Sequence, residues 1–139
     1  MIHEKNHIPV VIICGPTACG KTSLAYKLFA ESMSDFSSLA GKGEIISADS
    51  MQVYRNMDIG TAKPDKNTLK TLPHHLINIC NPNEAFGAGE FVRHANNAIA
   101  DIVSRGKIPV MVGGTAFYIK NFMYGLPPTP RSDENLRTL

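Results

Sequence analysis

Gly15-Pro16-Thr17-Ala18-Cys19-Gly20-Lys21-Thr22 reads GPTACGKT and fits the phosphate-loop spacing G-x-x-x-x-G-K-T without a gap. Its flanks stand in the order such a loop requires. Ile8 to Cys14 is a short apolar run suited to a buried strand, and a helical pattern begins at Gly20 and Lys21. Gly15 and Gly20 let the backbone curl, so that successive N–H groups point into one anion-sized cavity at a helix start. Lys21 adds a point charge able to reach terminal phosphates, and the Thr22 hydroxyl is placed to meet a magnesium ion. The competing reading, a glycine-rich turn with a solvated lysine, leaves the Lys-Thr pair and the preceding strand unexplained.

A strand of one parallel sheet implies others. Glu44 to Ser47 and Ile108 to Val112 have the continuous apolar content of buried strands, and His75 to Ile79 is a weaker candidate. Helical spacing joins Leu24, Ala25, Leu28 and Phe29, and again Phe91, Ala95, Ala98, Ile99 and Ile102, with Gly106 suited to the position past that helix. A third helix is expected over Ala116 to Tyr124, capped by Thr115 and stopped by Gly125. Ser32 to Gly43 and Gly60 to Thr71 read as surface loops or short helices. The expected architecture is α/β: helices on a mostly parallel sheet in a three-layer, phosphate-loop NTPase-like fold that is incomplete in this chain. Residues 1–126 form its core. Residues 127–139 begin with Pro127 and Pro128 and read as a connection onward.

The 139 residues suffice for one core, and a net charge of +2 suits an anionic substrate without a dense basic stripe. Neither a secretory segment nor an apolar stretch of transmembrane length is evident, which argues against a membrane protein and for a cytoplasmic one. Oligomeric state is not legible. Cys14, Cys19 and Cys80 are too few and too irregular for a disulfide framework or a zinc site. Cys14 is expected to pack at the strand end, and Cys19 to be a tolerated small residue in the loop. The adjacent His74 and His75 do not share one strand face, which weakens a paired metal-ligand reading.

Ser47-Ala48-Asp49-Ser50-Met51-Gln52 follows the second strand, where ligands approach a parallel sheet. Asp49 is therefore either a proton acceptor beside the phosphate loop or, with Ser50, the cap of a short helix. Gly113-Gly114-Thr115 follows the Ile108 to Val112 strand in the same way, and Thr115 is either a substrate contact or a helix cap. No Asp ends that strand as a magnesium-binding acid would in a hydrolase, which speaks against a motor-like ATPase. A small-molecule or nucleotide kinase using ATP remains an alternative.

Four stretches together resemble the tRNA dimethylallyltransferase (tRNA isopentenyltransferase) family: GPTACGKT at Gly15 to Thr22, SADSMQVYRNMDIGTAKP at Ser47 to Pro64, PHHLI at Pro73 to Ile77, and VGGTAFYIK at Val112 to Lys120. The resemblance implies transfer of a five-carbon allyl group from dimethylallyl diphosphate to N6 of adenosine 37 in tRNA, with Mg²⁺ as cofactor and diphosphate released. It implies that Gly15, Thr17, Ala18, Cys19, Gly20, Lys21 and Thr22 hold the diphosphate, with Thr22 also assisting the metal. It makes Asp49 the general base, places Thr115 near the reacting centre, and assigns Asp49, Ser50, Met51, Gln52 and Thr115 to the flipped tRNA base. Cys19 and Phe117 depart from the residues frequent at their positions, and Gly87 and Gly89 are expected to loosen the junction before the next helix. Family members generally continue well beyond this length, with later basic residues and a helical insertion for tRNA. The chain thus reads as the N-terminal part of such an enzyme. Its own activity is left open against an alternative, a fragment that binds diphosphate without turnover.

Overall fold

In the computed structural model, which describes residues 8–30 and 37–128, the apolar run before the phosphate loop yields a short strand, β1 (Val11–Cys14). The strand is shorter than the run Ile8 to Cys14 because a strand needs a partner, and pairing begins only at Val11. The chain continues through α1 (Lys21–Phe29), a 3-10 turn at Ser37–Leu39, β2 (Gly43–Ser47), α2 (Lys66–Thr71), β3 (His74–His75), α3 (Ala88–Ser104), β4 (Ile108–Gly113) and α4 (Ala116–Tyr124). The four strands are parallel in the order β1-β4-β2-β3. Part of the expected loop at Ser32 to Gly43 and all but Pro127 and Pro128 of the expected 127–139 connection lie outside the described residues.

Alternation along the strands divides the core in two. Ile46 and Met111 face Phe91, Ala95, Ile99 and Ile102 of α3 and Tyr118 and Ile119 of α4. Ile45, Val110 and Val112 face Ala25 and Phe29 of α1. Helices on both faces of a parallel sheet make three layers, as expected. Phe91 is fully buried and its ring stacks on Tyr118 at 4.6 Å between centroids, so α3 and α4 are joined through their aromatic residues. The helix ends follow the local chemistry: Gly106 stands at φ 69° just past α3, and Gly125 at φ 86° ends α4. Gly87 caps α3 in extended backbone rather than in a turn only glycine can make.

Two strand expectations are corrected. Cys14 is exposed rather than packed, because β1 has β4 as its only strand neighbour among the described residues. The candidate strand His75 to Ile79 stops at His75, since Leu76 and Asn78 both take positive φ, and the N–H groups of Asn78 and Ile79 turn to the carbonyls of Gln52 and Val53.

At the end of the sheet where β2 begins, an ion network around one buried carboxylate ties the layers together. Glu44, 5% exposed on β2, accepts from both terminal nitrogens of Arg105, with Nη2 at 2.8 Å from Oε2. His75 Nε2 lies 2.7 Å from the same Oε2, and Arg105 also pairs with Asp101. These bonds, Arg105 first, outweigh the cost of burial and bring the Glu44 carboxyl down to about pKa 2.

Candidate active site

The phosphate loop leaves the carboxyl end of β1 and enters α1 through Gly20, whose φ of 87° is in the left-handed region. Ala18 also takes positive φ, at 63°, a conformation that costs a residue with a Cβ about 1–2 kcal/mol. Gly20 makes no side-chain cap, so the first N–H groups of α1 keep their capacity for an anion. Lys21 folds back over its own loop: its Nζ donates to the Gly15 carbonyl at 2.9 Å and the Pro16 carbonyl at 2.6 Å. That holds its charge at the loop.

Opposite stand the loops that follow β2 and β4, stitched together by backbone. The Ala48 N–H donates to the Val112 carbonyl at 2.8 Å, the Thr115 N–H to the Ala48 carbonyl at 3.1 Å, and the Ser50 N–H to Thr115 Oγ1 at 3.0 Å. This approach is why Gly113 is glycine: a Cβ there would lie 2.1 Å from the Ala48 carbonyl oxygen. The Thr115 hydroxyl thus does not cap α4, although Thr115 occupies the N-cap position. Its bond goes instead to the Asp49–Gln52 turn.

Asp49 fills one role and retains capacity for another. Its Oδ1 accepts from the N–H of Met51 at 2.8 Å and of Gln52 at 3.3 Å, which is the capping arrangement. Its Oδ2 makes no hydrogen bond among the described residues, and Asp49 lines the cleft in front of the phosphate loop. The cap that was weighed against a catalytic carboxylate therefore uses only one of its two oxygens.

The cleft measures about 350 Å³ and runs from the phosphate loop to Asp49 and Gln52, with an apolar flank at Ala25, Ile45 and Leu72. It gathers Thr17, Ala18, Gly20, Lys21 and Thr22 of the expected diphosphate set, and Asp49 and Gln52 of the expected acceptor set. Gly15 and Cys19 do not line it, nor do Ser50, Met51 and Thr115. Gly15 faces a second, apolar groove beside α4, lined also by Cys14, Ile119 and Met123.

Several lining residues escaped sequence reasoning. Ala62, Pro64 and Thr68 reach the cleft from the segment before β3, and His74 from β3 itself. Gln52 draws that segment in, donating through Nε2 to the carbonyls of Thr61 at 3.2 Å and Ala62 at 3.0 Å while accepting from Ser47 Oγ at 2.9 Å. The two histidines part company as their adjacency implies. His75 goes to Glu44, whereas His74 lines the cleft with Nδ1 2.7 Å from the Leu72 carbonyl. Burial pushes the His74 imidazole below its ordinary pKa, against the opposing pull of that carbonyl.

No cluster of three His, Cys, Asp or Glu side chains suited to a metal occurs among the described residues. Magnesium does not require one, since it commonly takes one or two protein ligands and fills its remaining positions with phosphate oxygens and water. The Thr22 hydroxyl at the cleft fits that mode.

A parallel sheet with this loop after its first strand, and a carboxylate facing the loop from the end of another, defines a phosphate-loop α/β protein. The chain belongs to the IPP transferase family, whose model matches residues 52–139. It is 50% identical over 137 residues to tRNA dimethylallyltransferase 1 of Citrifermentans bemidjiense, covering 99% of this chain and 42% of that protein. Among solved structures it resembles the tRNA isopentenylpyrophosphate transferase of Bacillus halodurans, with TM-score 0.73 and 40% identity, over 95% of this chain and 41% of the other. A eukaryotic dimethylallyltransferase captured acting on tRNA matches at TM-score 0.74 and 32% identity, over 93% of this chain and 31% of the other. The chain spans about 40% of the length of the curated relatives it matches. Family membership leaves the ATP-dependent kinase reading without support. No described helix is long and apolar enough to cross a membrane.

Proposed function

We propose that this chain carries the donor grip and the base of a tRNA dimethylallyltransferase, acting in the cytoplasm on N6 of adenosine 37 with dimethylallyl diphosphate as donor. The observation that carries this reading is the meeting of the phosphate loop and an Asp49 whose Oδ2 makes no bond among the described residues, in one cleft. Relatives of the same family are named tRNA dimethylallyltransferases, and a eukaryotic dimethylallyltransferase was captured acting on tRNA, which supports the reading.

In this reading the backbone N–H groups at the start of α1 and the Lys21 ammonium bind the diphosphate and stabilise the charge that grows as the allylic C1–O bond breaks. The N6 lone pair forms the new bond to C1, and the C1–O electrons leave with diphosphate. The N6 proton passes to Asp49 Oδ2, so no free amide anion is needed. Mg²⁺, when held by Thr22 and the donor oxygens, supplies further charge stabilisation. Gly114 brings backbone close to the donor loop, an added Cβ there lying 3.3 Å from the Gly15 carbonyl oxygen, and a base flipped from its stack reaches N6 attack geometry past Asp49 to Gln52.

The test is to incubate a full-length version, this chain continued to the length of its relatives, with tRNA and either dimethylallyl diphosphate or ATP, and to identify products by mass. A five-carbon addition to one adenosine is expected. Phosphorylation with ATP instead, or no product with a folded protein, would overturn the reading.

A further inference from the structure

Lys63 is a buried cation that the chemistry above does not use. Its side chain is 7% exposed, and its ammonium donates three bonds: 2.6 Å to the Tyr54 carbonyl, 2.8 Å to Asp58 Oδ1 and 2.7 Å to Asn78 Oδ1. An ammonium has three protons, so all are placed. The acceptors lie on two separate stretches, residues 54–58 and Asn78; Asn78 itself takes positive φ, as does Asn56 between the first two acceptors. One residue before Lys63, Ala62 is held by Gln52 and is itself at φ 50°. Inside the loop, Thr61 Oγ1 donates to the Met57 carbonyl at 2.7 Å.

The loop from Tyr54 to Lys63 is therefore closed at its base twice, by Lys63 on Tyr54 and by Gln52 on Ala62. It ends at Ala62 and Pro64, which form the wall of the cleft across from the phosphate loop, and it projects Ile59 almost wholly into solvent, at 98%. Two residues at positive φ, Asn56 and Ala62, and a desolvated charge are retained in a loop that adds nothing to either core cluster. Such a feature serves rigidity at a site rather than global stability.

We infer that Lys63 is a positioning residue for the acceptor: its ammonium clamps the loop 54–63 so that the Asp49–Gln52 turn and the Ala62–Pro64 wall hold a fixed slot for the incoming base. The inference rests on the transferase reading for the identity of that acceptor, and not for the clamp itself. The donor side is independent, because the phosphate loop is anchored on β1 and α1 and shares no hydrogen bond with Lys63.

The test compares wild type, Lys63→Met and Asp58→Ala in the full-length version, the last removing a partner that is 68% exposed. Three measurements are made: amide hydrogen exchange, affinity for inorganic pyrophosphate, and KM and kcat with tRNA and dimethylallyl diphosphate. Lys63→Met is expected to speed exchange over residues 54–63 while α3 stays protected, to raise the KM for tRNA by about tenfold, and to leave pyrophosphate affinity within about twofold. Asp58→Ala should move the same quantities in the same direction by less. Unchanged exchange in the loop in both variants overturns the clamp, and so does a fall in pyrophosphate affinity equal to the fall for tRNA. If Lys63→Met does not fold, Asp58→Ala decides by the same criteria. If wild type transfers no allyl group, the transferase reading fails, and exchange in the loop still decides the clamp.

Discussion

The backbone N–H of Ser50 donates to Oγ1 of Thr115 at 3.0 Å, joining residues 65 apart in sequence. This hydroxyl adds a side-chain tie to the backbone bonds that join the turn carrying Asp49 to the start of α4. Thr115→Val keeps the shape and removes the acceptor. In the full-length protein kcat is expected to fall by about tenfold or more, with pyrophosphate affinity unchanged, and Thr115→Ser should restore most of it. Loss of pyrophosphate affinity in Thr115→Val would show that the bond supports the donor loop instead.

Lys21 folds its ammonium onto the phosphate loop itself, bonded to Gly15 and Pro16. Lys21→Met should weaken pyrophosphate binding by roughly 1.5–3 kcal/mol, the scale of a hydrogen bond to a charged group. Calorimetry at two salt concentrations checks this. The wild-type affinity should fall as salt rises, and the variant should show a shallower dependence.

Gly113 has no room for a methyl group, since its Cβ would sit 2.1 Å from the Ala48 carbonyl oxygen. Gly113→Ala is expected to lower the urea midpoint by the equivalent of roughly 1–3 kcal/mol, because backbone rather than a flexible side chain must give way. Gly87→Ala, where nothing lies within 4 Å of the added carbon, is the control and should change little.

Acid should dissect the Glu44 network. Glu44 is held at about pKa 2 in the folded protein against an ordinary value of 4.5, so the folded state binds fewer protons than the unfolded one through that window. The resulting stability is fully present above about pH 4.5 and is lost as pH falls towards 2. Urea unfolding followed over this range should show a steeper decline in wild type than in Glu44→Gln. At neutral pH the variant should be somewhat less stable, the loss limited because Arg105 is 43% exposed and keeps Asp101 as a partner.

Periodicity and the eight-residue loop made much of the architecture readable. Spacing within α3 and α4 is local, and a loop flanked by strand and helix admits few arrangements. What escaped is set by partners distant in sequence. The limits of β1 depend on where β4 offers backbone, and β3 ends because residues 78–80 bond to the carbonyls of Gln52 and Val53. The phosphate loop and Asp49 could be expected at one cleft because strand ends converge there. Ala62, Pro64 and Thr68 could not, since the bonds from Gln52 and Lys63 that bring them in follow no short spacing. His74 stood in a motif already noted, yet its direction relative to His75 needed the sheet.

Asp49 has a further consequence. With Oδ1 bound to two backbone N–H groups, its carboxylate has little freedom to spin about the Cβ–Cγ bond. In the proposed reaction, a proton arriving from the cleft would meet one open oxygen, Oδ2, held in one orientation. Protonation there would leave the two anchoring bonds in place, so the proposed base would take up and release its proton without the surrounding turn having to refold.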